Sequence, residues 1–208
     1  MKRIFNSKNQ ITGQGRTTQS GFTLLELMIV LVLAAIIMTQ AVPAFQTTLK
    51  NSRLTSQTNN LVADLNLARS EAIKRGKNVI VCSSSNPTAS AATCASSATW
   101  TTGWLVFADD DSSGDYDNTK DTLIHVGMPA TGSVTFVSTA NATNGVIYTN
   151  EGLITSGTTV AIAVCDDRGV TSGGTTYGRQ IEINTTGRPT LFKDSAASGM
   201  SCTAPAEL

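Results

Sequence analysis

Closely spaced carboxylates form a run that resembles part of a calcium-binding loop. They occupy nearby positions of one short segment: Asp109, Asp111, Asp115 and Asp117. Carboxylate oxygens around a central glycine, here Gly114, are ligands that Ca²⁺ accepts. An EF-hand loop also needs a glutamate at its twelfth position, and counting from Asp109 that position is Lys120, while Asp121 comes one residue late. We therefore favour an exposed acidic hairpin turn and expect neither a metal nor another cofactor.

The sequence lacks the residue sets that common enzyme classes use. His125 is its single histidine, and it alternates with apolar residues in a predicted strand, so we interpret it as structural. The sequence contains neither a phosphate-binding glycine loop nor a Gly-x-Ser-x-Gly elbow. We therefore do not expect an enzyme.

Charge is divided unevenly along the chain. The 208 residues hold 15 basic and 15 acidic side chains, so the formal net charge is zero. Residues 1–21 contain four of the basic residues (Lys2, Arg3, Lys8 and Arg16) and no acid, which leaves 11 basic against 15 acidic side chains in the remainder. Such a remainder does not have the broad positive charge of a dedicated nucleic-acid-binding domain.

An acid interrupts the long apolar segment that starts at Phe22. As a helix, residues 22–42 would rise about 31 Å, the thickness of the hydrocarbon core of a bilayer. The basic residues before the segment predict a cytoplasmic N-terminus. Glu26 lies inside the segment, where a carboxylate costs roughly 2.5–3.5 kcal/mol at mid-depth and needs a counter-ion. A cut between Gly21 and Phe22 would create an α-amine that could neutralise Glu26 of a neighbouring subunit.

The segment Gly21-Phe22-Thr-Leu-Leu-Glu26 resembles the prepilin peptidase site of type IV pilins and type II secretion pseudopilins. The resemblance implies cleavage after Gly21, N-methylation of Phe22, and a role for Glu26 in assembly. It also implies that Pro43 lies at the usual kink of the pilin helix. The alternative is an ordinary secretory signal peptide cut near Ala44, which would leave Glu26 unexplained.

Hydrophobic periodicity predicts an α+β fold with a long N-terminal helix followed by an antiparallel sheet or small β-sandwich. The resemblance implies the type IV pilin-like arrangement, in which that helix packs on the sheet. We expect four segments: a cleaved leader (1–21), a transmembrane or filament-core helix (22–43), an amphipathic helix (44–76) and a β-rich head (77–208). The apolar stripe of the amphipathic helix, which Gly76 caps, comprises Leu54, Leu61, Leu65, Ala68 and Ala72. Ser84–Thr102 is nearly low-complexity and is predicted to be a surface loop. A period of two predicts eight strands: Asn78–Ser83, Gly103–Ala108, Thr122–Val126, Ser133–Val137, Val146–Thr149, Thr159–Cys165, Gly178–Asn184 and Thr190–Lys193.

All four cysteines follow the apolar segment: Cys82, Cys94, Cys165 and Cys202. Four cysteines allow three pairings, and sequence does not choose among them. In an oxidising compartment we favour Cys82–Cys94 and Cys165–Cys202 over four free thiols.

Later motifs resemble the GspH/FimT subgroup of minor pilins. They are the Gly103-Trp104 strand after the first cysteine pair, and Gly178-Arg179 followed by Thr186-Gly187-Arg188. The FimT branch, linked to natural transformation, has a Gly-Arg-x-Arg motif that contacts DNA. In this chain Arg188 matches its first arginine and Thr190 replaces the second. Arg179, Arg188 and Lys193 are therefore candidates for DNA contact, and the alternative is that they solvate an edge strand.

The resemblance implies a structural subunit that helps to initiate or cap a type IV pilus or a type II secretion pseudopilus. Its expected partners are other minor pilins or pseudopilins, the major subunit and the prepilin peptidase. The expected location is the bacterial inner membrane, with one span and a periplasmic head. DNA binding during uptake is the alternative function.

Overall fold

The structure is a computed structural model that describes residues 21–95, 100–139, 145–172, 175–193 and Cys202. It divides into two compact units, Met1–Ala44 and Phe45–Leu208, which we call the N-terminal and C-terminal units. One helix, α1 (Leu24–Arg75), contributes residues to both. The predicted leader lies outside the described residues except for Gly21.

The described part of the N-terminal unit comprises residues 21–44, and from Leu24 onward it is the first portion of α1. The backbone N–H of Glu26 donates to Thr23 Oγ1 at 3.2 Å, an N-cap bond worth about 1 kcal/mol. The apolar side chains that follow are exposed; Leu24, for example, is 77% exposed and Ile36 60%. The helix is long and apolar enough to cross a membrane. An uncovered apolar surface of this length requires lipid or protein neighbours.

In the C-terminal unit α1 buries one stripe against the sheets. The structure buries all five residues of the predicted apolar stripe. It also buries Thr58 and Asp64, which the sequence analysis did not include. Gly76 adopts a positive φ of 65°, and its N–H donates to the Ala72 carbonyl at 3.0 Å. This left-handed residue ends the helix as predicted.

Ten strands follow in the part of the chain that the structure describes, and all their pairings are antiparallel. One sheet has the order β3-β2-β1-β5, a second has the order β10-β9-β6-β4, and β7 pairs with β8. The last pair was not predicted, because two-residue strands show no detectable period. The strands are β1 (Val79–Ser83), β2 (Trp104–Ala108), β3 (Thr122–Gly127), β4 (Thr135–Ser138), β5 (Val146–Tyr148), β6 (Val160–Cys165), β7 (Thr171–Ser172), β8 (Thr175–Thr176), β9 (Arg179–Ile183) and β10 (Pro189–Phe192).

The predicted surface loop between β1 and β2 is partly a core element, which corrects the sequence analysis. Trp100 is fully buried, and its Nε1 donates to Ser138 Oγ at 3.2 Å. Ala92 is buried with Ile80, Leu105 and other residues on one face of the first sheet. The opposite face of that sheet packs in the main core with α1. Low sequence complexity concealed the few apolar residues that cover the sheet; residues 96–99 lie outside the described residues.

Candidate functional site

The predicted processing site lies at the exposed start of the described chain. Gly21 and Phe22 are exposed, and Phe22 is 85% exposed. Among the described residues, no hydrogen bond or ion pair engages the Glu26 carboxylate. Pro43 lies inside α1, which continues past it. This segment therefore offers a carboxylate and an apolar surface to groups outside the described chain.

Arg179 is not available to a nucleic acid, which corrects its place among the candidate DNA contacts. The residue is 8% exposed. Its Nη2 donates to Thr55 Oγ1 at 2.8 Å and its Nη1 to the Tyr177 carbonyl at 3.2 Å. Burial, followed by the nearby charge of Arg168, lowers its guanidinium pKa. Arg179 links β9 to α1 and cannot present its charge to a phosphate.

Arg188 is exposed, and the structure requires a glycine at the position before it. Gly187 has φ 74°, and a Cβ at this position would lie 2.1 Å from the Gly152 carbonyl oxygen. The Arg69 side chain donates to the same oxygen at 2.9 Å and to the Thr186 carbonyl at 3.1 Å. Gly187 and Arg188 therefore belong to a turn that Arg69 holds close to α1.

The remaining candidates do not form a basic cluster. Arg188 and Lys193 lie at opposite ends of edge strand β10, separated by about 16 Å of extended chain. Thr190, which replaces the second arginine of the motif, pairs across the strands with Glu182. An acid beside this position opposes contact with phosphate.

The acidic run folds as a hairpin turn in which other groups of the chain engage most of its carboxylates. Asp109 accepts the N–H groups of Ser113 (3.0 Å) and Gly114 (3.2 Å). Burial raises the pKa of Asp109, whereas hydrogen bonds to Ser113 and Lys120 lower that of Asp111. The three carboxylates that approach one another within 4.8 Å are Asp109, Asp111 and Asp121. The predicted ligands Asp115 and Asp117 are not part of that group.

Two disulfides link the same cysteine pairs that we favoured from the sequence. Cys82 and Cys94 have an S–S distance of 2.01 Å and Cys165 and Cys202 one of 2.07 Å. The first ties the loop after β1 to the first sheet. The second anchors Cys202 to β6, beside Ala163 and Val170.

A polar cluster that was not predicted from the sequence lies between α1 and the first sheet. The buried Asp64 carboxylate accepts Trp104 Nε1 at 2.8 Å and lies 3.2 Å from His125 Nδ1. The His125 side chain is therefore half-exposed and lies beside the Asp64 carboxylate. The signal was available, because Asp64 interrupts the stripe at a helical spacing from Leu61 and Ala68. The Trp104 ring also occupies the space that a side chain at position 127 would need, which explains the glycine there.

An exposed apolar helix followed by a helix-packed antiparallel β unit with two disulfides defines a class of protein. It is the class of type IV pilin-like subunits, which are membrane-anchored through the apolar helix. These subunits are structural.

Family comparison agrees with this class. The family model described as Type II transport protein GspH matches residues 57–187, and the prokaryotic N-terminal methylation motif matches residues 16–39. The chain belongs to the GspH family and is a minor pilin or pseudopilin of the type IV pilin kind.

Solved structures share the fold at low sequence identity. A crystal structure of the type IV minor pilin FimU from Pseudomonas aeruginosa PAO1 matches with a TM-score of 0.51 and 20% identity, over 73% of this chain and 96% of FimU. A second crystal form gives a TM-score of 0.48 and 21% identity, over 71% of this chain and 98% of FimU. No curated protein matches the sequence.

Proposed function

We propose that this minor pilin or pseudopilin helps to initiate or cap a filament, either a type IV pilus or a type II secretion pseudopilus. One observation carries the proposal: nearly every described residue of the apolar helix in the N-terminal unit is exposed, and the described residues give Glu26 no counter-ion. A filament of packed helices would cover the apolar surface and supply a cation.

In this proposal the prepilin peptidase cuts after Gly21 in the cytoplasm, and Phe22 is then N-methylated. The new α-amine of one subunit pairs with Glu26 of the next. Before assembly the helix spans the inner membrane, and the C-terminal unit lies in the periplasm. Support comes from the basic residues of positions 1–21, the methylation-motif match over residues 16–39 and the disulfides.

Mass spectrometry of the protein extracted from its host membranes tests the processing step. We expect a chain that begins at Phe22 and carries one added methyl group. A chain that begins near Phe45 would instead indicate a signal peptide and would refute the proposal.

The location of the subunit tests its role in the filament. An epitope tag inserted at the exposed Gly157 turn should label one end of each filament, and deletion of the gene should reduce the number of filaments. Labelling along the whole filament length would contradict a role in initiation or capping. Loss of pili or loss of protein secretion in the deletion strain would identify the machine.

The DNA-uptake alternative has less support. Arg179 is buried, and Arg188 and Lys193 lie far apart. We therefore expect that the full chain in detergent does not bind DNA in a salt-sensitive way. Salt-sensitive DNA binding that Arg188→Ala weakens would restore the alternative.

A further inference from the structure

A groove opens between α1 and strand β3 in the C-terminal unit. Its volume is about 460 Å³. Its residues come from two sides: Gln57, Asn60 and Asp64 on α1, and His125, Met128 and Thr131 on or after β3. It is distinct from the apolar helix surface that the proposed filament contact uses.

The base of the groove carries a negative charge with spare acceptor capacity. The Asp64 side chain is 10% exposed. Its carboxylate accepts Trp104 Nε1 and faces His125, whereas a carboxylate offers about four acceptor positions. Among the described residues, no lysine or arginine forms an ion pair with Asp64. The arginine one turn before Gln57, Arg53, lies against Gly132 instead.

The wall of the groove is a sheet edge. Among the described strands, β3 pairs with β2 on one side and has no strand partner on the other. Exposed apolar side chains mark this edge, since Leu123 is 42% and Met128 64% exposed. An edge strand with exposed apolar groups favours pairing with an extended segment of another chain.

We propose that this groove binds an extended segment of a neighbouring pilin-type subunit that bears a lysine or arginine. The segment lies along β3, its basic side chain enters the groove and donates to Asp64, and an adjacent apolar side chain contacts Met128. A carboxylate at the base repels phosphate, so the charge of the site fits a cationic protein segment rather than nucleic acid or a lipid headgroup. This inference rests on the proposed function, because the occupant is another subunit of the filament.

Photocrosslinking of the full chain in its own host tests the groove. The photoreactive residue p-benzoylphenylalanine replaces Met128, and mass spectrometry identifies the crosslinked peptide. A second variant carries it at Ile36 in the apolar helix, which reports filament packing in general. We expect the Met128 variant to crosslink to a segment of another pilin-type subunit with a lysine or arginine beside the crosslinked residue.

Substitution at exposed Asn60, one helical turn from Asp64, tests the charge. In Asn60→Lys the new ammonium group would occupy the position of the partner's cation. We expect this change to lower the crosslink yield roughly tenfold, whereas Asn59→Lys, which adds the same charge at an exposed position outside the groove, leaves the yield unchanged. Because both positions are exposed, neither change should impair folding, which a thermal melt verifies.

The inference would be overturned by an unchanged yield in Asn60→Lys, by a crosslink to lipid or nucleic acid, or by a crosslink to a protein segment that lacks a basic residue. If Ile36 crosslinks to other subunits and Met128 does not, the groove proposal fails and the proposed function stands. If neither position crosslinks to another subunit, both fail.

Discussion

At the scale of single residues, a buried hydrogen bond joins Asp64 of α1 to Trp104 of the first sheet. As whole residues Trp104 and Asp64 are both buried, at 2% and 7% exposed, and the indole N–H donates to the carboxylate at 2.8 Å. A buried carboxylate that loses a donor retains its desolvation cost. This bond therefore stabilises the packing of α1 on β2 and holds Asp64 at the base of the groove.

Trp104→Phe should remove that bond while keeping an aromatic ring. We expect a loss of about 1–3 kcal/mol in the free energy of unfolding from the unpaired carboxylate, measured by denaturant unfolding of the full chain in detergent. The smaller ring also lowers stability through lost packing. The same substitution in an Asp64→Ala background, where the hydrogen bond cannot form, measures that packing loss alone. An equal loss in both backgrounds would show that the hydrogen bond contributes nothing.

Gly187 offers a second prediction at this scale. Its φ of 74° alone would cost a side chain about 1–2 kcal/mol, and a Cβ would also lie 2.1 Å from the Gly152 carbonyl oxygen. Gly157 has a similar φ of 68° but open space around it. Gly187→Ala should therefore lower the thermal unfolding midpoint clearly more than Gly157→Ala. Equal shifts would contradict the close approach to Gly152.

At the scale of elements, the sequence predicted the regular parts and missed those that depend on contacts distant in sequence. The stripe from Leu54 to Ala72 follows from its helical period. The eight longer strands follow from runs of β-branched and apolar residues bounded by turn residues. The buried loop around Trp100, the pair β7–β8 and the cluster at Asp64 depend on which elements meet in space. Arg179 shows the same limit, since its burial by Thr55 and Tyr177 is invisible in the local sequence.

The two disulfides should differ in what they contribute. Cys82–Cys94 spans 12 residues and Cys165–Cys202 spans 37. On the chain-entropy model the first stabilises the fold by about 3 kcal/mol and the second by about 4 kcal/mol. Replacing each pair by alanines and measuring denaturant unfolding tests the order. A larger loss from the shorter loop would show that packing of the β1–β2 loop outweighs loop entropy.

At the scale of the whole molecule, the chain presents two different kinds of surface. The N-terminal unit exposes an almost continuous apolar helix with a single acid, Glu26. The C-terminal unit buries its core, and its groove at Asp64 has room for a partner. An acid in an apolar environment is costly unless it is neutralised, so the proposed helix contact should depend on charge as well as on apolar area.

Incorporation of a Glu26→Gln variant into filaments tests this dependence most directly. The variant is expressed in a host that lacks its own copy, and the full chain is quantified in membranes and in filaments sheared from the cells. We predict normal amounts in the membrane and roughly tenfold less in filaments, while Glu151→Gln, which neutralises an exposed acid of the C-terminal unit, behaves as the parent does. Normal incorporation of Glu26→Gln would contradict the proposal that Glu26 pairs with the α-amine of a neighbouring subunit.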